Sequence, residues 1–497
     1  MKPKNLNMMK RTILLSAVVA LFSTLTLSQV PLDDVDIADA IEDEFRFDHA
    51  INVNKIDVEV LDGIVTLEGT VQNLKAKERA TRVAELVKGV RAVSNLITIQ
   101  PAVVMSDQGI RENVEQALLN DPATDSYEVA VSVENKEVTL TGTVDSYQEK
   151  ELCGHVAKSV RGVVGLTNKI DIDYDQDRPD QEIQAEIEEA LRWNALVDDG
   201  LINVEVEEGE VELSGIVGSA AEKTNAFFTS WVTGVTSVDN SGVEVEWWAE
   251  DEELRKNQHT PVPDNQIEEA IIDAAVYDPR LLSVQIDPEA ENGWVTLRGT
   301  VDNLKSKIAA EKLAEHTTGV VGVTNRIKVR VDLPPTDSEI AADVDMALSN
   351  NSITESWEID VEVNNGITTL TGVVDSYLEK KEAEWTAGGV QGVTEVNNLL
   401  SVNYPHSYYW WGYYPYHNFY ITPPNTSVYP DDDHIQRSVE SELWWSPFVD
   451  RDQVTVHVDE GEVTLEGTVD SWREYRKAVE NAWEGGAWSV DNDLEVR

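Results

Sequence analysis

The chain has 497 residues, far more than one hydrophobic core organises, and 92 acidic residues against 39 Lys and Arg give it a net charge of −53. A field of that sign repels nucleic acid and anionic bilayers over roughly a Debye length of 8–10 Å, which excludes both as partners through bulk charge. The single cysteine, Cys153, excludes an intramolecular disulfide framework, so stability has to come from packing.

Residues 1–28 read as an export signal. Lys2, Lys4, Lys10 and Arg11 form a basic start, and Ile13–Leu27 is an apolar run closed by small residues. The run is shorter than the roughly 20 residues of a membrane span, and no cysteine follows it to carry a lipid. Retention as an uncleaved anchor is the other reading. The expected mature chain lies outside the cytoplasm and has no transmembrane span.

The rest is organised by one recurring stretch. Val65–Val71 (VTLEGTV) returns as Val138–Val144, Val211–Val217, Val295–Val301, Thr368–Val374 and Val463–Val469. Alternation with period two marks a strand with one buried face. The glycine in each copy (Gly69, Gly142, Gly215, Gly299, Gly372, Gly467) implies a bulge, or a backbone approach too close for a Cβ. The copies span 32–102, 105–175, 178–248, 262–332, 335–403 and 431–497. An acidic linker, 249–261, and an aromatic insert, 404–430, interrupt them.

Each copy opens with an Asp three residues before an Ile (Asp34, Asp107, Asp180, Asp264, Asp337, Asp432), after which apolar residues recur at helical spacing, as in Ile110-Val114-Leu118. The acidic residue is expected to cap the helix start and complement its dipole. A strand, a tight turn such as Asp62-Gly63 or Glu208-Gly209, and the recurring stretch then read as a β-hairpin; copy four is expected to have a longer turn, Asp287–Gly293. Asn73, Ser146, Ser219, Asn303, Ser376 and Ser471 are N-caps of a second helix, and in four copies a Glu three residues on completes a capping box. That helix ends near a Gly, and a last strand follows, for instance Leu96–Ile99, Ile170–Ile172 or Ile327–Val331. The fold class is therefore α+β: six tandem αββαβ repeats, each a three-stranded sheet covered on one face by two helices.

Copies one and four share Asn-Leu-Lys at the second cap, and copies two and five share Asp-Ser-Tyr. Copies three and six share a Leu-x-Trp-x-x-x-Val-Asp run. This pattern is that of a three-copy unit duplicated.

Together the Asp-led helix, the VTLxGTV hairpin, the Ser- or Asn-capped helix and the Gly-Val-x-x-Val-x-Asn run resemble the BON domain, over nearly all of the chain after residue 31. The resemblance implies the αββαβ fold, a periplasmic or bacterial envelope location and a non-enzymatic role with no cofactor. It also implies a partner that is an envelope phospholipid or a periplasmic or envelope protein. The expected function is a multivalent binding or scaffolding module linked to osmotic or envelope stress; the alternative is an ATP-independent holdase chaperone.

Two stretches are candidates for contact. The second helices of copies one and four are locally basic, with Lys75, Lys77, Arg79 and Arg82, and Lys305, Lys307 and Lys312. They would meet anionic lipid or an acidic partner, or else pair with acidic neighbouring repeats and brace the array. The insert carries Tyr408, Tyr409, Trp410, Trp411, Tyr413 and Tyr414, which suits an interfacial belt, a stacking platform or a cover for an open sheet edge. The histidines have no ligand spacing, and the acidic run at Asp171–Asp177 lacks the glycine of a calcium loop, so no metal site is expected.

Overall fold

A computed structural model describes residues 32–47, 51, 55–121, 123–124, 129–174, 178–250, 262–282, 284–331, 334–354, 356–402, 432–446 and 448–497. The N-terminal signal-like segment and the six aromatic candidates of the insert lie outside the described residues. Among those described, twelve α-helices and six separate sheets form six copies of one unit. In each, the middle strand is the recurring stretch; it pairs antiparallel with the first strand and parallel with the last, as Val65 does with Val60 and Val93. Two helices pack on one face, in repeat 1 Asp34–Phe47 and Leu74–Leu86. The apolar side of the alternation points at them, so Val65, Leu67 and Val71 are buried with Ile37, Ile41 and Ala80 in one core. The opposite face is polar and open: Asp57 and Glu59, Asn203 and Glu205, Asp360 and Glu362 all stay exposed.

The leading Asp does something its place in the sequence did not predict. It is the first helical residue, and its carboxylate reaches the hairpin turn 28 and 29 residues on. There it accepts both turn N–H groups: Asp34 from Asp62 and Gly63, Asp180 from Glu208 and Gly209, and Asp432 from Glu460 and Gly461. All six repeats make this pair of bonds at 2.8–3.1 Å. Both turn residues have positive φ, the two-residue geometry that matches strand twist, so their amides point together at one acceptor. In repeat 4 these amides hold the Asp264 carboxyl below the usual carboxylate range.

The fourth hairpin is not longer. It turns at Asn292 and Gly293 like the others, and its first strand, Ile286–Glu291, passes through Pro288. Proline is tolerated because this strand is an edge and needs no donor on its outer side. The recurring glycine is required twice over. At Gly215 φ is 129°, and an added Cβ would run into the carbonyl oxygen of Leu201.

The last strands begin earlier than the sequence suggests. In repeat 1 the strand is Ala92–Asn95, then a break, then Thr98–Ile99. Asn95 ties this strand to the second helix: its Nδ2 donates to the Lys77 carbonyl, and its Oδ1 accepts the Ile97 N–H. Asn168, Asn325, Asn398 and Asn492 make the same bonds. The six second-helix caps form as expected, for example Ser219 accepting from Glu222 N. The four cap glutamates, however, reach back to the residue before the cap (Asp145, Gly218, Asp375, Asp470), one position beyond the standard box.

Replacing Asp180 with Ala removes two charge-assisted hydrogen bonds, each worth about 1.5–3 kcal/mol. Thermal unfolding should shift to lower temperature, with Asp180→Asn recovering part of the loss. An Ala variant that unfolds like the parent would contradict the role assigned to this carboxylate.

Candidate functional site

The capped starts of the second helices are where the repeats meet. The first residue after each cap leaves its own repeat and enters another. Leu74 of repeat 1 packs into the core of repeat 2, and Ala220 of repeat 3 into that of repeat 1. Between them, Tyr147 of repeat 2 joins the core of repeat 3, its ring stacked on Trp231 with centroids 3.8 Å apart and planes within 5°. These three contacts close a ring. The second triplet repeats it: Leu304 enters the core of repeat 5, and Tyr377 stacks on Trp483 of repeat 6 at 5.2 Å. Trp472 of repeat 6 then returns to repeat 4, edge-on to Trp294 at 6.2 Å, with its backbone N–H donated to the Val321 carbonyl at 2.8 Å.

The rings are joined pairwise. Repeats 2 and 5 share an antiparallel bridge between Val160 and Asn351, flanked by Arg161 N to Asn350 O (2.8 Å) and Ser352 N to Ser159 O (2.9 Å). Repeats 3 and 4 share the matching bridge between Asn194 and Thr317. Repeats 1 and 6 meet at the corresponding place, where Lys88 Nζ donates to the Trp444 carbonyl at 2.7 Å and sits over that indole. The pattern is unchanged when repeats 1, 2 and 3 are exchanged with 4, 5 and 6, the relation that the sequence likeness of the two triplets implies.

The basic helices lie at these junctions. Lys75 pairs with Glu382 of repeat 5 at 3.3 Å, and Arg79 with Glu484 of repeat 6 at 2.6 Å. Lys305 pairs with Asp121 of repeat 2 at 2.9 Å, and it and Lys312 both sit over the Trp385 ring, at 5.1 and 5.4 Å. Burial lowers the Lys312 pKa. Lys75 and Lys305 line one cavity of about 590 Å³ between repeats 2 and 5. Lys77 and Lys307 lend their carbonyls to Asn95 and Asn325, and Arg82 lies exposed near Glu85. A second cavity of about 790 Å³, between repeats 3 and 4, is walled by Trp193, Phe228, Trp231 and Tyr277.

Sequence reasoning missed the junction residues themselves. Their signal is that the position after the cap is apolar or aromatic in all but one copy and Ala in that one, although the start of a solvent-facing helix needs no apolar side chain. Among the described residues, no helix is long and apolar enough to cross a membrane.

The model of the BON domain matches six times, at 33–101, 106–174, 179–246, 263–331, 336–404 and 431–497. The chain belongs to the BON-domain family. It is 32% identical over 143 residues to the osmotically-inducible protein Y of Escherichia coli, covering 27% of this chain and 71% of that protein. It is 28% identical over 137 residues to the outer membrane lipoprotein DolP of Haemophilus influenzae, covering 27% and 70%. A solved structure of CdsD, a structural protein of the type III secretion system of Chlamydia trachomatis, aligns at 14% identity over 45% of this chain and 93% of that one; its TM-score of 0.13 carries no argument.

Two carboxyls at equivalent junction positions are displaced by burial. Glu85, which accepts from Thr224 of repeat 3, and Glu315, beside Arg476 of repeat 6, are each pushed up to about 7. A raised folded-state value gives stability that is complete below the ordinary 4.5 and lost as pH rises through about 7. The melting temperature should therefore fall between about pH 5 and pH 8, and a Glu85→Gln/Glu315→Gln double variant should flatten that slope. An unchanged slope in the variant would refute the assignment.

Proposed function

We propose that this protein is a non-catalytic scaffold of the bacterial envelope, linked to osmotic or envelope stress, which holds six copies of one binding unit in a fixed arrangement and engages an envelope component multivalently. The observation that carries this reading is the orientation of the repeats. The helices meet one another while the polar sheet faces stay open, so one chain presents several copies of a related surface. Weak faces fixed on one body raise avidity without a strong single site.

The relatives' names, an osmotically inducible protein and an outer membrane lipoprotein, support the envelope setting. Charge bears on the partner. The open faces are acidic, and Lys75, Arg79 and Lys305 are engaged by carboxylates of other repeats. Contact of these cations with lipid phosphate would have to exchange for those pairs, and the −53 field opposes anionic lipid. The reading therefore favours an envelope protein over a phospholipid headgroup.

Flotation with anionic vesicles at low salt, alongside capture from a detergent-solubilised envelope extract, tests this. The expected result is no flotation and capture of a defined protein, lost when Glu205 and Glu212 on an open sheet face are changed to Lys. Flotation of the parent protein that is abolished by Lys75→Glu/Lys305→Glu would instead establish the basic helices as a lipid site.

A further inference from the structure

The three seams between the rings differ in kind at one equivalent position. In each, the first helices of two repeats face each other across a pocket. The position 25 residues ahead of the recurring glycine lines it from both sides. Between repeats 2 and 5 those residues are Ala117 and Ala347, in the cavity of about 590 Å³. Between repeats 3 and 4 they are Ala190 and Ala274, in that of about 790 Å³. Between repeats 1 and 6 they are Glu44 and Glu442, and the pocket shrinks to about 190 Å³. Two seams thus carry a pair of methyl groups where the third carries a pair of carboxyls.

The carboxyls are close. Oxygen atoms of Glu44, Glu442 and Glu484 all lie within 4.8 Å of one another, and Glu442 is 5% exposed. Glu484 is matched: Arg79 of repeat 1 holds it at 2.6 Å and Lys477 at 3.6 Å, with Lys477 also 3.5 Å from Glu480. Asp43, His434 and Arg437 complete the pocket walls. Arg79 and Lys477 are engaged by Glu484 and Glu480, so the like charges of Glu44 and Glu442 are relieved when these two share one proton. With that proton a carboxyl–carboxylate hydrogen bond spans the seam; without it, two like charges meet in a desolvated contact.

We propose that the Glu44–Glu442 contact is a pH-operated latch, which holds repeat 1 to repeat 6 while the two carboxyls share a proton and releases this one seam when the proton is lost. Burial, first among the causes, raises the pKa of both groups, and for Glu442 the Glu44 charge adds to it. Burial works the same way on Glu484, but Lys477 and Arg79 outweigh it and keep that group below the usual range. The sign follows: closure is complete below the ordinary carboxylate range and is lost as pH rises through the raised value. The seam joins the first repeat to the last, so its release parts their two first helices while each repeat stays held in its own ring and the other two seams stay closed. The device is independent of which partner the open faces bind.

Amide hydrogen exchange of the full chain at about pH 5.5 and about pH 9 tests the latch. The helices Asp34–Phe47 and Asp432–Trp445 are compared with Asp107–Asn120 and Asp337–Asn350 at the Ala–Ala seam, which cancels the intrinsic pH dependence of exchange. The expected result is that the relative protection of the first pair falls about tenfold or more at the higher pH, one unit of linkage. A Glu44→Gln/Glu442→Gln variant, which keeps the hydrogen bond without the charge, should show no such fall. Glu44→Ala/Glu442→Ala, which recreates the other seams, should behave the same way and serves if the Gln variant does not fold. Glu85 and Glu315 titrate equally in all three proteins. Unchanged relative protection in the parent, or an equal loss in the variants, would overturn the proposal.

Discussion

A repeat of about 70 residues is close to the size at which a lone core is marginal, and here each one sends the first residue of its second helix against a neighbour, in four of the six into that neighbour's core. The N-cap makes this possible. By satisfying the helix start with a Ser or Asn side chain, it frees the next side chain to point away from its own sheet. Because each repeat both gives and receives such a residue, three repeats close on themselves with no end left open. The length of the triplet, the capping and the aromatic stacks at Tyr147–Trp231 and Tyr377–Trp483 all follow from that one handover.

Ring closure also accounts for the distribution of charge. An acidic chain that folds back on itself brings carboxylates together, and the cations of the second helices sit where that would cost most. Lys75, Arg79, Lys158, Lys305 and Arg476 each bind a carboxylate of another repeat. These partly buried pairs are worth more than surface pairs because water screens them less. Further acidic residues stay exposed on the first helices, as at Glu112 and Glu189, and on the open sheet faces, where they keep similar surfaces from pairing with one another.

Much of each repeat was legible because its determinants are local. The alternating strand, the turn residues, the Ser and Asn caps and the strand glycine all act within a few residues of themselves. The readings that failed depend on partners farther away. Asp34 looks like a helix cap in sequence, but its acceptor atoms are taken by amides 28 and 29 residues on. The last strand of repeat 1 starts at Ala92, ahead of Leu96, because Ile64 of the middle strand is its partner there. Pro288 looked like part of a turn because edge position is a property of the sheet. The joining of the two rings was invisible for the same reason: Lys75 and Glu382 are 307 residues apart, and no spacing rule joins them.

Zero-length carbodiimide cross-linking followed by peptide mass spectrometry tests the packing of the two rings on each other most directly, because it joins an amine to a carboxylate only when the two are in contact. In the monomer fraction the account predicts links from Lys75 to Glu382, from Lys158 to Glu78 and from Lys305 to Asp121, which together connect repeats 1, 2, 4 and 5 out of sequence order. Links confined to single repeats or to consecutive repeats would contradict it and would describe a row of independent units instead.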